Sequence, residues 1–272
     1  MVNYILFFLT FGLIWFTFFL DHSSKVVTMV SACTYYFTSN KAVEGDATVA
    51  LGFKLATVNH FGSVGFGSLI IAIVFTIRVV VYTICKKAEA ASGDNKVVQC
   101  ISCLVQCFLK CLEEIIEYIN KAAYAFMSMS GQPFCTSAKF GIMLQMKHGA
   151  GFMFANYLAA AFIMLGKIGL TILNTFVCYW IMKYGTKDLD EMTSPVAPLV
   201  MVAFSTFVTV NIFLSLFDET VMAMMYCVCA DMDLHGEPEW GPPTFHDKIN
   251  NIKDQKKSGD DEGGDAEANT LN

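Results

Sequence analysis

Three charged side chains lie inside long apolar segments of the sequence, where charge is costly. Lys167 sits near the middle of one such segment, and Asp218 and Glu219 lie at similar depth in the next one. A lysine at the bilayer midplane costs about 2.5–3.5 kcal/mol on insertion scales, so its ammonium should face protein or water and find an acid. We therefore predict that Lys167 pairs with Asp218. The pair could join two helices or couple to a substrate or ion; alternatively, the helix protrudes and brings Lys167 to the headgroups.

Four cysteines at spacings of three, four and four residues share one helical face: Cys100, Cys103, Cys107 and Cys111. The C-x-x-C pair suggests zinc, but a straight helix holds the first and last sulfur about 16 Å apart. Zinc binds its thiolates at about 2.3 Å, so a single helix does not bring four together. Apolar packing and palmitoylation of an interfacial helix remain open for this face. The other cysteines lie mostly in apolar stretches, which favours buried, reduced thiols over disulfides.

The sequence lacks the motifs of common enzyme classes. It contains no G-x-S-x-G elbow, Walker loop or H-E-x-x-H pair. The histidines fall in predicted loops or at the edges of apolar segments, with no acid at a fixed spacing. We therefore expect no catalytic residues, no cofactor and no bound metal.

Composition shows what must position these residues. The chain of 272 residues is 55% hydrophobic and only 15% charged, with a mean hydropathy of +0.50. Soluble domains carry about 25% charged residues, so this composition predicts an all-α integral membrane protein whose apolar positions face lipid. The net charge of −6, with much of the acid near the C-terminus, argues against nucleic acid as a partner.

Hydropathy predicts about five transmembrane helices within a domain at 1–230. A polar turn at 21–24 separates the first two predicted spans. The third span has the clearest apolar pattern. A polar acidic tail at 231–272 follows, disordered after Lys256. The predicted spans are 3–20, 25–39, 59–85, 151–183 and 196–230.

The middle of the chain is predicted to be interfacial over 97–148. From 97 to 120 the pattern is that of an amphipathic helix, and from 120 to 148 it is apolar but broken at 131–133, which indicates a re-entrant or broken segment. Lysine placement puts 86–120 on the inner side of the membrane. Ser63 and Gly67 form a small-xxx-small pair that predicts close helix packing, the alternative being a broken helix that lines a cavity.

Several motifs together resemble one family. They are the segment 60–73 (HFGSVGFGSLIIAI) with Arg78 five residues on, and 134–139 (FCTSAK). The positions that accompany them at fitting distances are Asn120, Tyr124, Gly131 and the 165–167 tripeptide (LGK). The pattern resembles the choline transporter-like proteins, over the C-terminal part of that family only. Two positions depart from it, because Tyr35-Tyr36 replaces a Trp-Tyr pair and Met222 stands where the family has an aspartate.

The resemblance implies movement of choline or a related organic cation across a membrane. The plasma membrane is the site that the resemblance favours, with a mitochondrial or other organelle membrane open. Aromatic rings hold quaternary ammonium groups, which makes the tyrosines candidates. The candidate substrate-binding residues are Tyr35, Tyr36, Tyr124, Lys167, Asp218 and Glu219.

A second hypothesis belongs to another class. It makes the chain a truncated, non-transporting family member that acts as a structural subunit of a larger membrane complex. Exposed apolar faces on a half-bundle indicate other membrane subunits or a homo-oligomer as partners, besides the lipid bilayer.

Overall fold

The computed structural model describes residues 2–93, 95–185 and 196–251. Within these ranges the chain forms helices and no β-strand, which confirms the predicted all-α class. The helices α1, α3, α5 and α6 are long and apolar enough to cross a membrane, so the chain is a multi-pass membrane protein. The elements are α1 (Val2–Thr38), α2 (Val49–Lys54), a π-helical turn (Leu55–Asn59), α3 (Phe61–Ser92), α4 (Lys96–Ser130), α5 (Phe134–Gly185), α6 (Val196–His235) and α7 (243–251).

Helix α1 is continuous through the predicted turn at 21–24, so the expectation of two separate spans, 3–20 and 25–39, was wrong. The helix has 37 residues, and 35 of them form one candidate span, Tyr4–Thr38. The polar residues find partners along the helix: Lys25 Nζ lies 2.8 Å from the Asp21 carboxylate, and the Ser23 hydroxyl donates to the Phe19 carbonyl at 2.7 Å. With neither glycine nor proline at 21–24, polarity alone does not end the helix.

The segment after α1 returns beside it rather than forming only a polar loop. Helix α2 and the π-helical turn make a short apolar element at Val49–Asn59. Gly52 lies against α1, where an added Cβ would be 2.7 Å from the Val27 carbonyl oxygen. Helix α3 then follows and contains the predicted span 59–85 almost entirely.

The predicted interfacial segment 97–148 divides into two different helices. Helix α4 is capped by the Asn95 side chain, which accepts from the Val97 N–H at 3.1 Å, and it ends at Gly131 with φ 68°. This break confirms the one predicted at 131–133. Residues 134–148, however, begin α5, which bends at Gly149 and belongs to the candidate span Phe134–Tyr184. A glycine and the Pro133 ring end one helix and start the next without a long loop.

The first part of the predicted polar tail at 231–272 is packed against the bundle. Helix α6 runs on to His235, the Gly241 N–H donates to the Ser39 carbonyl at 3.3 Å, and α7 buries His246. The predicted disorder after Lys256 lies outside the described residues.

The core lies where the C-terminal parts of α1, α4 and α6 meet the start of α5. Small residues let these helices approach closely: Ala122, Ala123 and Ala125 are fully buried, and a Cβ added to Gly141 would lie 2.6 Å from the Ala122 carbonyl oxygen. Small residues at helix contacts replace the hydrophobic driving force that lipid does not supply. This core holds the buried polar groups described next.

Candidate functional site

A partly buried charge cluster joins α4 to α6. Lys121 Nζ lies 3.5 Å from Asp218 Oδ2 and 3.8 Å from Glu219 Oε1. Glu219 is 3% exposed. Two carboxylates therefore share one ammonium inside the bundle, and one of them is almost wholly removed from solvent.

The predicted pairing of Lys167 with Asp218 was wrong. Lys167 Nζ donates instead to Asn211 Oδ1 at 2.7 Å. The Asn174 side-chain amide also donates to the Thr206 hydroxyl at 2.7 Å, and these two bonds fix the antiparallel register of α5 and α6. In that register Asp218 lies about 10 Å along the axis from Lys167, at 1.5 Å per residue. Equal depth in two hydropathy plots does not fix which residues face each other.

A second buried group lies beside the charge cluster. The Tyr124 hydroxyl is 2.9 Å from His22 Nδ1, and the two rings meet edge to face with centroids 5.2 Å apart. Gly67 makes room for this pair, since an added Cβ would overlap the Tyr124 hydroxyl and lie 2.8 Å from the Phe134 ring. Asn120 donates to the Gly67 carbonyl at 3.1 Å. The close packing predicted for the Ser63–Gly67 pair is thus confirmed at Gly67.

A third buried group surrounds Asp231, which sequence reasoning missed. Its carboxylate accepts from the Tyr36 hydroxyl at 3.0 Å and from the backbone N–H groups of Glu239 and Trp240 at 2.9 Å each. His235 Nδ1 lies 2.9 Å from the other oxygen. Tyr36 and Asp231 are 0% and 1% exposed. An acid just inside the end of an apolar segment, followed by a glycine- and proline-rich turn, was the available signal.

An apolar cavity of about 590 Å³ lies between α1, α5, α6 and the segment after α6. Four aromatic rings line it, those of Tyr36, Phe152, Phe217 and Phe245. Methionines fill much of the α6 wall, and flexible thioethers adapt to guests of irregular shape. The volume falls in the usual range for small-molecule sites, about 300–1,000 Å³. Tyr36 links the cavity to the buried carboxylate of Asp231.

The structure distributes the predicted substrate-binding residues over three places. Asp218 and Glu219 join Lys121, with Tyr124 in the neighbouring group, whereas Tyr36 lines the cavity. Tyr35 is half-buried next to Tyr36, and Lys167 lies apart on α5. Contact of any of the six with a substrate stays a prediction. His22, Lys121 and Asp231 are the residues that sequence reasoning left out.

All ten cysteines are free. Burial holds for Cys33, Cys227 and Cys229, but the four cysteines of α4 are exposed, so packing within this chain does not explain them. Among the described residues, no group of three or more His, Cys, Asp or Glu could hold a metal ion.

Comparison with known proteins places these features in a family. A family model described as "Plasma-membrane choline transporter" matches residues 1–233. Choline transporter-like 2 of Drosophila melanogaster is 27% identical over 248 residues, which cover 91% of this chain and 30% of the relative. Choline transporter-like protein 1 of Mus musculus is 27% identical over 269 residues, 96% of this chain and 39% of the relative.

A third relative agrees with these two. Choline transporter-like protein 1 of Torpedo marmorata is 26% identical over 237 residues, 87% of this chain and 36% of the relative. The chain thus spans about a third of the length of the curated relatives that it matches.

Proposed function

Because the chain belongs to the plasma-membrane choline transporter family, we propose that it takes part in moving choline or a related organic cation across a membrane. The names of the family and of its relatives point to a transporter rather than an enzyme. The family description also supports the plasma membrane as the location. The observation that carries the proposal is the aromatic cavity between α1, α5, α6 and the segment after α6.

The cavity suits a quaternary ammonium because of what its wall offers. Such a cation has no N–H to donate, so it is held by ring faces and by apolar contact with its methyl groups. Each cation–π contact contributes about 0.5–2 kcal/mol, and more when water is excluded. Tyr36, Phe152, Phe217 and Phe245 supply four rings around one space. An apolar wall with several rings binds such a head group without demanding a direct ion pair.

The buried carboxylate of Asp231 adds a favourable field. Tyr36 donates its hydroxyl to Asp231 at 3.0 Å, and this bond polarises the phenol toward greater electron density in the ring. A negative charge one side chain away from the cavity also attracts a cation, since Coulomb energies rise in a low-dielectric surrounding. We therefore place Tyr36 at the centre of the binding wall.

The charge cluster on the other side of α6 is a proposed second element of the transport path. Glu219 is buried, and its Oε2 finds no hydrogen-bond donor among the described residues. A buried carboxylate with a free acceptor oxygen can stabilise a passing cation once the Lys121 ammonium moves away from it. Asp218 shares Lys121 with Glu219, and the His22–Tyr124 pair lies about one turn along α4 from Lys121, so these polar groups belong to the proposed route.

Uptake of labelled choline tests the proposal. The full-length chain is expressed in cells that lack their own choline carrier, and initial rates are compared with those of cells carrying the empty vector. We expect saturable uptake that tetramethylammonium inhibits, and a KM several-fold higher for Phe217→Leu. The matched control is Phe176→Leu, an exposed ring on α5 away from the cavity, which should leave the KM unchanged. Uptake at the level of the empty vector would overturn the proposal.

A further inference from the structure

The N-terminal half of α4 presents different chemistry on each of its sides. One side faces α3, where the Arg78 guanidinium lies 2.6 Å from the Glu113 carboxylate. At about 100° per residue the same side carries other residues that are buried or half-buried. They are Ser102, Gln106, Leu109 and Ile116.

An exposed apolar stripe runs along a second side of α4. Its members lie within about 60° of one another around the helix axis at 3.6 residues per turn. They are Val97, Ile101, Leu104, Phe108 and Ile115, which are 50–66% exposed. A stripe of this kind on a helix outside the packed core is typical of a surface that lies in the membrane interface.

A charged stripe occupies the third side. Lys96, Lys110, Glu114 and Glu117 all lie there, and Lys110 Nζ is 3.7 Å from the Glu114 carboxylate. Water or headgroups must cover this stripe while lipid covers the apolar one. The boundary between the two stripes is therefore the depth at which headgroups give way to acyl chains.

Three of the four cysteines lie on that boundary. Cys100, Cys107 and Cys111 fall within about 40° of one another, directly opposite the side that faces α3. All three are exposed. Cys103, also exposed, lies about 60° away around the helix, within the charged stripe, and lines a small hollow together with Cys85 and Ser102. The same helix thus presents three thiols at the lipid boundary, and a fourth, that of Cys103, with different neighbours.

We propose that Cys100, Cys107 and Cys111 are sites of S-acylation by long-chain fatty acids. The lysine pattern at Lys86, Lys87 and Lys96 places this helix on the inner side, where acyl-coenzyme A is available. A chain attached at the boundary enters the acyl region beside the apolar stripe and fixes α4 to the bilayer surface. Two or more chains give stable anchoring where a single chain gives only marginal binding.

The reaction is a thioester exchange that a membrane acyltransferase would catalyse. The cysteine sulfur bonds to the carbonyl carbon of the acyl group, and the bond from that carbon to the coenzyme A sulfur breaks. The proton of the cysteine thiol passes to the departing coenzyme A thiolate. No atom changes oxidation state, so the step needs only the acyl-coenzyme A donor.

A mass-tag exchange on the full-length chain from eukaryotic cells tests the proposal. Free thiols are blocked, thioesters are cleaved with hydroxylamine, and the released thiols are labelled with a polyethylene glycol maleimide. We expect hydroxylamine-dependent shifts of up to three tags for the wild type. The shifts should disappear in the triple variant Cys100→Ser, Cys107→Ser, Cys111→Ser and persist in the matched control Cys103→Ser.

Direct identification of the modified peptides makes the test independent of the variants. Cells are fed an alkyne analogue of palmitate, and trypsin then cuts after Lys96, Lys110 and Lys121. The label should appear on peptides 97–110 and 111–121. An unshifted wild type, shifts that survive the triple variant, or label confined to Cys103 would overturn the proposal. None of these readings involves choline, so they are independent of the transport function.

Discussion

Polar and charged side chains have different partners at the packed end of the bundle and in the distal hairpin. The packed end is α1 from His22, α4 from Asn120, α5 up to Ala155 and α6 from Phe217; the distal hairpin is α5 after Ala155 with α6 before Phe217. At the packed end, buried polar groups have several partners, as Asp231 has with four donors around it. Along the distal hairpin most large side chains are exposed. Isolated hydrogen bonds between one residue of α5 and one of α6, such as that of Lys167 to Asn211, join the two helices.

Two lysines make the difference concrete. Lys121 at the packed end lies near two carboxylates, whereas Lys167 in the distal hairpin has a neutral amide partner. A charge that is paired and enclosed holds helices together, and its loss leaves other charges unpaired. A charge with a neutral partner contributes little to folding. The packed end therefore fixes the fold around the proposed binding cavity, and the distal hairpin depends mainly on lipid.

The largest effect is expected for Lys121→Met. Removing the ammonium takes away the nearest counter-charge of the buried Glu219 carboxylate, and breaking a buried pair costs about 3–5 kcal/mol of the free energy of unfolding. Because Asp218 is partly exposed, we expect a loss of stability near the lower end of this range. Unfolding in detergent with rising sodium dodecyl sulfate measures it.

The control for this prediction is the double variant Lys121→Met, Glu219→Gln. It removes both charges, so most of the lost stability should return. A double variant no more stable than the single would contradict the assignment of the pair.

The next effect is expected for Gly67→Ala. The new methyl group overlaps the Tyr124 hydroxyl and crowds Phe134, and overpacking of this kind costs about 1–3 kcal/mol. Gly65→Ala is the matched control on the same helix, since a Cβ there meets nothing within 4 Å. It should leave the apparent Tm unchanged or slightly raised, because alanine favours helix over glycine. Equal Tm values for the two variants would refute the close approach of α3 and α4.

A smaller effect is expected for Asp231→Asn. The Asp231 carboxylate accepts charge-assisted bonds from the Glu239 and Trp240 N–H groups. Such bonds contribute about 1.5–3 kcal/mol each and neutral ones about 1 kcal/mol, so the amide oxygen of asparagine keeps part of the stabilisation. Limited proteolysis within 236–251 should accelerate severalfold. Asp233→Asn is the control, because Asp233 contacts Lys147 and His148 on α5 rather than the segment after α6. If both variants are cut at the wild-type rate, Asp231 does not hold that segment.

The smallest effect is expected for Lys167→Met. Loss of one bond to Asn211 should change the free energy of unfolding by about 1 kcal/mol or less, with the insertion cost of the charge relieved in return. In a double-mutant cycle with Asp218→Asn, the coupling energy should be close to zero, since distant sites add within about 0.5 kcal/mol. A coupling above 1 kcal/mol would restore the ion pair that the sequence predicted.

Local chemistry explains which expectations held. Hydropathy gave the helical membrane class, and Gly131 with Pro133 gave the break between α4 and α5, because each depends on neighbouring residues alone. The turn predicted at 21–24 does not form, and the helix continues, because His22 has its partner, Tyr124, across the bundle. The part played by Asp231 was missed for the same reason, since its donors come from the returning chain after α6. The hydropathy of a short sequence window contains no information about partners from distant parts of the chain.

Equilibrium binding of choline to the purified chain in lipid nanodiscs tests most directly whether the packed end holds the site. The double variant Phe217→Leu, Phe245→Leu removes two cavity rings, and Phe162→Leu, Phe176→Leu removes two exposed rings of the distal hairpin. At about 0.5–2 kcal/mol per ring, we predict a Kd raised roughly tenfold by the cavity pair and unchanged by the hairpin pair. Equal affinities for both variants and the wild type would contradict the account.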